Sequence, residues 1–417
     1  MGATLYNPAD SDAAIHQSTP APNTPPEHTD ILIIGAGIIG LTTAFRLQRA
    51  GRTVTLLDPA PASEATRAAA GMLAPASEVQ FRQEPLVPLM KRAAELYAEL
   101  AADVQHTTGE NVGLRDTPTL VCSYDTADKQ ALTELADYQR ELGLETTPIS
   151  IRAARTTEPV LSPRLTGAIQ ITGDHQINPR WFASALANHL TGEIHPVTAT
   201  GVLIADAPHP TARAVTWRDQ TGNPGTTTAE HIIIANGLGA TDLHGIPEVS
   251  TLPLRPVYGD VLRLRIPENQ RPFLTSTVRG VVRGNPVYIV PREDNTLVIG
   301  ATSREDRLPG INAGGVYQLL RDAHDLIPAI TELELYEVIS RARPGTPDDL
   351  PLIGPVHRGE KPIEHLTVSN GYFRHGILLA ARGSEIVTHL ITDTLTDDDH
   401  RDLTACAPQR FNTTHTP

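Results

Sequence analysis

Cysteine is nearly absent: Cys122 and Cys406 are the two in 417 residues. That excludes a disulfide framework, and without a CxxC pair there is no thiol metal or redox motif. A cofactor attached through sulfur would have only those two anchors, and neither lies in a motif. No apolar run approaches the roughly 18 residues a membrane helix needs. The opening segment lacks the charged-then-apolar order of a signal peptide. Basic charge is in short supply: 34 Lys plus Arg against 48 Asp plus Glu gives 34 − 48 = −14. An acidic chain argues against general nucleic-acid binding and offers no polybasic patch to a membrane. The expectation is a cytoplasmic chain in which an anionic substrate is met by locally placed arginines. HExxH, Walker A and GxSxG are also missing, since Gly383-Ser384 lacks the partner glycine. No histidine pair stands at convincing metal spacing, so no metal is expected. No repeat period of 20–50 residues is visible.

Apolar residues make up 40% of the chain, slightly low but enough for a sizeable core at this length, which corresponds to two or three domains or one interleaved unit. Residues 1–29, with Pro8, Pro20, Pro22, Pro25 and Pro26 among His, Thr and Ala, read as a disordered arm. Ile31-Leu32-Ile33-Ile34 reads as a strand buried on both faces, the parallel-sheet pattern. Gly35-Ala36-Gly37-Ile38-Ile39-Gly40 comes next, then Leu41, Ala44, Phe45 and Leu47 at helical spacing, with Gly51 as the stop. Thr53–Leu57 is the next strand and ends at Asp58. Fully apolar strands recur at Ile232–Ile234 and Leu366–Val368, while alternating, half-exposed strands fill the gaps, notably between Pro256 and Thr302. That order predicts an α/β fold: a nucleotide-binding domain assembled from separated segments, with a second, mixed or antiparallel sheet inserted. The acidic stretch Asp397–Asp399 and the residues after it, 397–417 in all, read as a solvated tail.

Gly35-x-Gly37-x-x-Gly40 sits between a strand and a helix. The first glycine serves the tight turn, the second lets backbone approach a pyrophosphate, and the third lets helix and strand pack closely. The helix N-terminus offers free N–H groups to phosphates. Asp58 lies 58 − 35 = 23 residues on, where a carboxylate can accept ribose hydroxyls. Strand, helix, spacing and acid agree on a dinucleotide site. The turn alone does not separate FAD from NAD, but no second fingerprint for a nicotinamide nucleotide is present.

Three further blocks stand beside the fingerprint: Thr66-Arg67-Ala68-Ala69-Ala70-Gly71-Met72-Leu73; Tyr288-Ile289-Val290-Pro291-Arg292 continuing to Gly300-Ala301-Thr302; and Arg343-Pro344-Gly345-Thr346-Pro347-Asp348 with Gly371 to Leu379. With these the chain, from about Asp30 to Asp393, resembles the D-amino-acid oxidase superfamily of FAD-dependent amine oxidases, and within it the branch that oxidises glycine for thiamine synthesis. The resemblance implies a Rossmann-like FAD-binding domain built from residues 30–108, 174–250 and 340–396, with a substrate domain from 109–173 and 251–339. It implies non-covalent FAD on Gly35, Gly37, Ile38, Ile39, Gly40 and Asp58. Thr66, Ala70, Gly71 and Met72 would line the ring and ribityl side, Val197 the adenine end, and Phe373, Gly376, Ile377 and Leu378 the far edge of the ring. It implies that Arg343 holds a substrate carboxylate, Tyr288 donates a further hydrogen bond and Arg374 stands near substrate and flavin. The partners it implies are a small amino acid and O2, an identical subunit, and a thiazole synthase that receives the imine. Sarcosine, D-amino acids or proline are alternative substrates, and a non-catalytic FAD-binding protein is the alternative from another class. The chain departs from relatives at Tyr258-Gly259-Asp260, where Arg-Gly-Gln is common, at Tyr372 for histidine, Ala381 for proline, and Ser303 for a larger residue.

Overall fold

The computed structural model describes residues 4–5, 24–206, 209–246 and 252–411. The first apolar run forms the strand His28–Ile34. It pairs in parallel with Val54–Leu57 on one side, Ile31 opposite Val54 and Ile34 opposite Leu57, and with Pro224–Ile234 on the other, Ile34 opposite Ile234. Lys361–Asn370 continues the sheet in parallel beyond Pro224–Ile234. The absence of alternation has a direct cause. Ile31 and Ile33 pack under the helices Ile38–Arg49, Val87–Thr108 and Gly376–Ile391, while Leu32 and Ile34 face Val202, Val215 and Trp217 of the antiparallel strands Thr198–Ala205 and Thr211–Arg218. All four side chains are buried. At about 1.5–3 kcal/mol each, they contribute on the order of 6–12 kcal/mol of apolar burial before chain entropy is counted.

A second sheet runs in the order Thr4–Leu5, Glu334–Gly345, Arg255–Arg265, Thr296–Gly300, Asn285–Pro291, Thr277–Val282, Thr119–Ser123, Gly167–Ile171, Thr147–Ile149. One face packs on the helix Ala313–Leu326 through Leu319, Ala323 and Leu326. The opposite face carries Val261, Val290, Val298 and Ile339 against Ala68 and Ala70, which joins the two sheets. The sheet runs on to Gly345, past the boundary expected at residue 339, so Arg341 and Arg343 stand on it.

Both ends differ from expectation. The first strand begins at His28, inside the expected arm, and Thr4–Leu5 pairs antiparallel with Ile339 and Val338 at the edge of the second sheet. The rest of the arm lies outside the described residues. The acidic stretch is corrected in part: Asp397 and Asp398 are exposed as expected, but Asp397–Ala405 is a helix, capped where the Thr396 side chain accepts from the Asp399 N–H and the Asp399 carboxylate accepts from the Thr396 N–H. Asp399 is fully buried because the Arg382 guanidinium reaches Asp399 at 2.8 Å and Asp402 at 2.6 Å, and His389 lies 2.8 Å from Asp399. Such a carboxylate is no longer a solvated charge. Cys406 closes the packing, its carbonyl accepting the Ile353 N–H at 3.0 Å. Residues 412–417 of the expected tail lie outside the described residues.

Candidate active site

The C-terminal ends of the parallel strands open onto a cleft of about 910 Å³, whose other wall is the second sheet. The size suits a large ligand, and the place is where open parallel sheets bind nucleotides. The glycine turn shows why three glycines are needed. At Gly35, φ is +104° and a Cβ would lie 2.6 Å from Asn236 Cα; at Gly40 a Cβ would lie 2.0 Å from the Gly35 carbonyl. The protein's own packing demands both. Gly37 differs: a Cβ there would meet only Thr66 Oγ1, at 3.6 Å. What Gly37 leaves room for is a ligand. It is also the N-cap of Ile38–Arg49 and brings no side chain of its own to cap that helix, so beyond the Ile38 N–H that Thr66 takes the first turn keeps donors for an anion. Asp58 accepts from the Ala36 N–H at 2.7 Å and the Ala60 N–H at 2.8 Å. Burial raises its pKa against those two bonds. Each oxygen retains a lone pair for a hydroxyl donor.

The loop after the short helix Ala65–Ala68 forms the floor. The Thr66 hydroxyl accepts the Ile38 N–H at 3.1 Å, tying loop to glycine turn. Gly71 has φ +70°, and a Cβ there would strike the Ile177 carbonyl at 2.1 Å. Ala70, Gly71 and Met72 line the cleft, and across it so do Phe373, Gly376, Ile377 and Leu378 at the start of Gly376–Ile391.

On the second sheet two more glycines seat the polar side chains. A Cβ on Gly259 would lie 2.3 Å from Arg343 Nη1, and a Cβ on Gly300 would lie 2.3 Å from the Tyr288 hydroxyl. Each long side chain therefore lies flat over a glycine of a neighbouring strand. Burial lowers the pKa of Arg343 and raises that of Tyr288, whose shift is opposed by Arg343 and Arg279. A charged guanidinium fork beside a protonated phenol can take a carboxylate by two or three directed bonds. Arg279 faces Tyr288 across the strand pair, and it ion-pairs with Glu78. Arg374 donates to the Glu78 carbonyl at 3.2 Å. His375 is buried, and burial together with Arg374 and Arg279 pushes its pKa down to about 3.

In Gly259→Ala the methyl meets the movable end of Arg343, so the fold should survive while the guanidinium is displaced. The expected result is an apparent KM for a carboxylate substrate raised about tenfold, near 1.4 kcal/mol, at unchanged melting temperature. Steady-state kinetics beside thermal melting checks this, and an unchanged KM contradicts the seating role. For His375 the folded pKa lies below the ordinary 6.5. The unfolded chain thus binds the extra proton between about pH 6.5 and pH 3, and stability is lost as pH falls through that window. At about pH 4.5 this one group costs on the order of 2–3 kcal/mol. His375→Gln should flatten the acid limb of melting temperature against pH, and an equally steep limb would refute it.

Of the residues singled out in the sequence, the cleft is lined by Gly35, Gly37, Ile38, Ile39, Asp58, Thr66, Ala70, Gly71, Met72, Tyr288, Arg343, Phe373, Arg374, Gly376, Ile377 and Leu378. Gly40 packs behind the turn instead. Val197, expected to meet the adenine end through its backbone, has its side chain in the core with Leu57 and Val202 and gives its N–H to the His195 carbonyl at 2.8 Å, while Thr198 and Ala199 line the cleft beside it. The sequence reading missed Arg279 and Glu78, and also Arg341, whose Nε reaches the Ser63 carbonyl at 3.1 Å from the opposite sheet. The alternation of the strand Thr277–Val282 was the available signal, since it sets Arg279 on the face of Tyr288. Among the described residues, the one grouping with metal-ligand proximity is His28, Asp30 and Glu230, at the strand end remote from the glycine turn.

A family model described as FAD dependent oxidoreductase matches residues 30–390. The chain belongs to this family. Its fold is the D-amino-acid-oxidase type of α/β fold and its cofactor is FAD. The glycine turn, the space over Gly37 and the small-residue floor fit that dinucleotide. The chain is 32% identical over 375 residues to a protein of Trichormus variabilis named "Bifunctional protein ThiO/ThiG", which covers 88% of this chain and 53% of that one. It thus spans about half the length of that relative. It is 32% identical over 370 residues to the "Glycine oxidase" of Geobacillus kaustophilus, covering 87% of this chain and 92% of that one. The crystal structure of glycine oxidase from Geobacillus kaustophilus superposes with a TM-score of 0.78 at 30% identity, over 92% of this chain and 99% of that one. No helix among the described residues is long and apolar enough to cross a membrane.

Proposed function

We propose that this flavoprotein oxidises the Cα–N bond of a small amino acid, glycine foremost, with O2 as final acceptor, yielding the imine and its hydrolysis products glyoxylate and ammonia, with hydrogen peroxide. The observation that carries this reading is the Arg343 guanidinium, half-buried in the cleft over Gly259 and beside the Tyr288 phenol. FAD, when bound, supplies the two-electron acceptor. The chain's own residues bind and orient. Arg343 grips the carboxylate and Tyr288 donates to it, which fixes the rotation of Cα; Arg374 stands at the same wall. Arg343, Arg279 and Arg374 around one pocket disfavour an ammonium and favour the neutral amine, whose lone pair drives loss of the Cα hydrogen. No side-chain base is needed, so catalysis is mainly positioning. Sequence likeness to the glycine oxidase and to the bifunctional ThiO/ThiG protein supports glycine as substrate, and the latter supports transfer of the imine to a thiazole synthase. A cytoplasmic, homo-oligomeric protein completes the proposal.

Peroxide and glyoxylate are to be measured in air with glycine, sarcosine, D-alanine and L-proline. Glycine should give the highest kcat/KM, with activity rising over roughly pH 6 to 10 as the amine loses its proton. Peroxide with none of the four rejects the oxidase reading. Dye reduction without O2 consumption would point to a dehydrogenase.

A further inference from the structure

Behind the cleft floor lie buried guanidiniums that the proposed reaction does not use. Arg180 Nε donates to the Arg67 carbonyl at 3.1 Å, and Arg263 Nη2 donates to the same carbonyl at 3.2 Å. Arg292, just past the strand Asn285–Pro291, donates from Nη2 to the Ala70 carbonyl and from Nη1 to the Ile177 carbonyl at 2.8 Å and Gln176 Oε1 at 2.9 Å. The Gly71 carbonyl takes the Ile177 N–H at 2.9 Å. Each of these carbonyls is thus engaged from behind. Among the described residues no protein acceptor takes the N–H groups of Ala70 or Gly71, both of which line the cleft.

The charge balance is uneven. Glu337 lies 2.9 Å from Arg180 and 3.4 Å from Arg263. Arg292 is 5% exposed, and the acceptors of its hydrogen bonds are uncharged oxygens. Burial, then Arg263, pushes its pKa down to about 9, so it remains a cation at neutral pH. Asp294 offsets part of that push, but a buried charge whose hydrogen bonds reach no carboxylate is costly unless an anion comes near.

We propose that Arg292 is a cofactor-positioning residue: through the Ala70 carbonyl it turns the Ala70–Gly71 peptide so that the Gly71 N–H addresses FAD, and its charge behind the loop favours the reduced, more negative flavin. The inference rests on the family's FAD and not on the choice of glycine. Its tests use no amino acid, so failure of the glycine reading would leave them intact.

The experiment compares Arg292→Met and Arg292→Lys with the unaltered protein by apoprotein titration with FAD, by dye equilibration of the flavin midpoint potential, and by melting of the apoprotein. Arg292→Met is expected to weaken FAD binding roughly 10–100-fold, and to weaken binding of reduced flavin about tenfold more than that of oxidised flavin, which moves the midpoint about 30 mV negative. Arg292→Lys keeps the charge but not the fork; it should hold the potential while losing part of the affinity. A Met variant with unchanged FAD affinity and potential overturns the proposal, as does one whose only change is a lower apoprotein melting temperature, which would make Arg292 a strut. Should the Met variant fail to fold, the Lys variant decides. Weaker FAD binding at constant potential supports the role, and no change in either property overturns it.

Discussion

Replacing Arg343 by methionine is expected to lower kcat/KM for glycine by roughly 10–100-fold, about 1.5–3 kcal/mol, the worth of one charge-assisted contact, while the protein stays yellow. The expectation comes from where the guanidinium sits. It lies half-buried over Gly259, with one weak bond to the protein, to the Thr302 carbonyl at 3.4 Å. Its directed donors are therefore left for a ligand. Loss of the fork also loosens the aim of Cα, so part of the loss should fall on kcat and part on KM. Arg343→Lys should recover some of it, because a point charge attracts a carboxylate without holding its plane. Stopped-flow reduction at several glycine concentrations separates the two parts. Equal kcat/KM in the methionine variant and the unaltered chain would remove Arg343 from the substrate's path.

A larger effect is expected at the glycine turn, and there the three positions should part company. Gly37→Val places its side chain where only a ligand competes, at a residue with ordinary extended backbone, φ −75° and ψ −179°. The apoprotein should fold and melt as before, while FAD affinity drops about 100-fold or more, near 3 kcal/mol. Gly35→Ala puts a Cβ against Asn236 Cα at φ +104°, and Gly40→Ala puts one 2.0 Å from a carbonyl. Both should destabilise the apoprotein itself by several kcal/mol. Comparing apoprotein melting with FAD titration for all three checks the division of labour. A Gly37→Val protein that retains FAD at unaltered affinity would contradict the placement of the pyrophosphate.

The sequence made the parallel sheet and its glycine turn legible for a local reason: unbroken apolar runs at Ile31, Ile232 and Leu366 signal burial on both faces, and a turn between strand and helix is a contiguous pattern. Arg343 and Tyr288 were legible because their blocks match a family. What joins them was not. Gly259 under Arg343 and Gly300 under Tyr288 depend on the registers Val257 opposite Arg343 and Tyr288 opposite Gly300, and register between distant strands leaves little trace in a single sequence. The grip of Arg292 on Ala70 spans 222 residues. The C-terminal helix was misread for a different reason. Three consecutive aspartates look solvated, yet Thr396-x-x-Asp399 is a capping box, and the neutralising Arg382 lies on another helix.

Substrate gripped by Arg343 beside a bound flavin is tested most directly by mixing the yellow protein with glycine in the absence of oxygen and watching the visible flavin band. Rapid bleaching is expected, with colour restored when air is admitted, and much slower bleaching in the Arg343→Met protein. A band that stays unchanged at saturating glycine, in protein shown to hold its full complement of FAD, would contradict that arrangement.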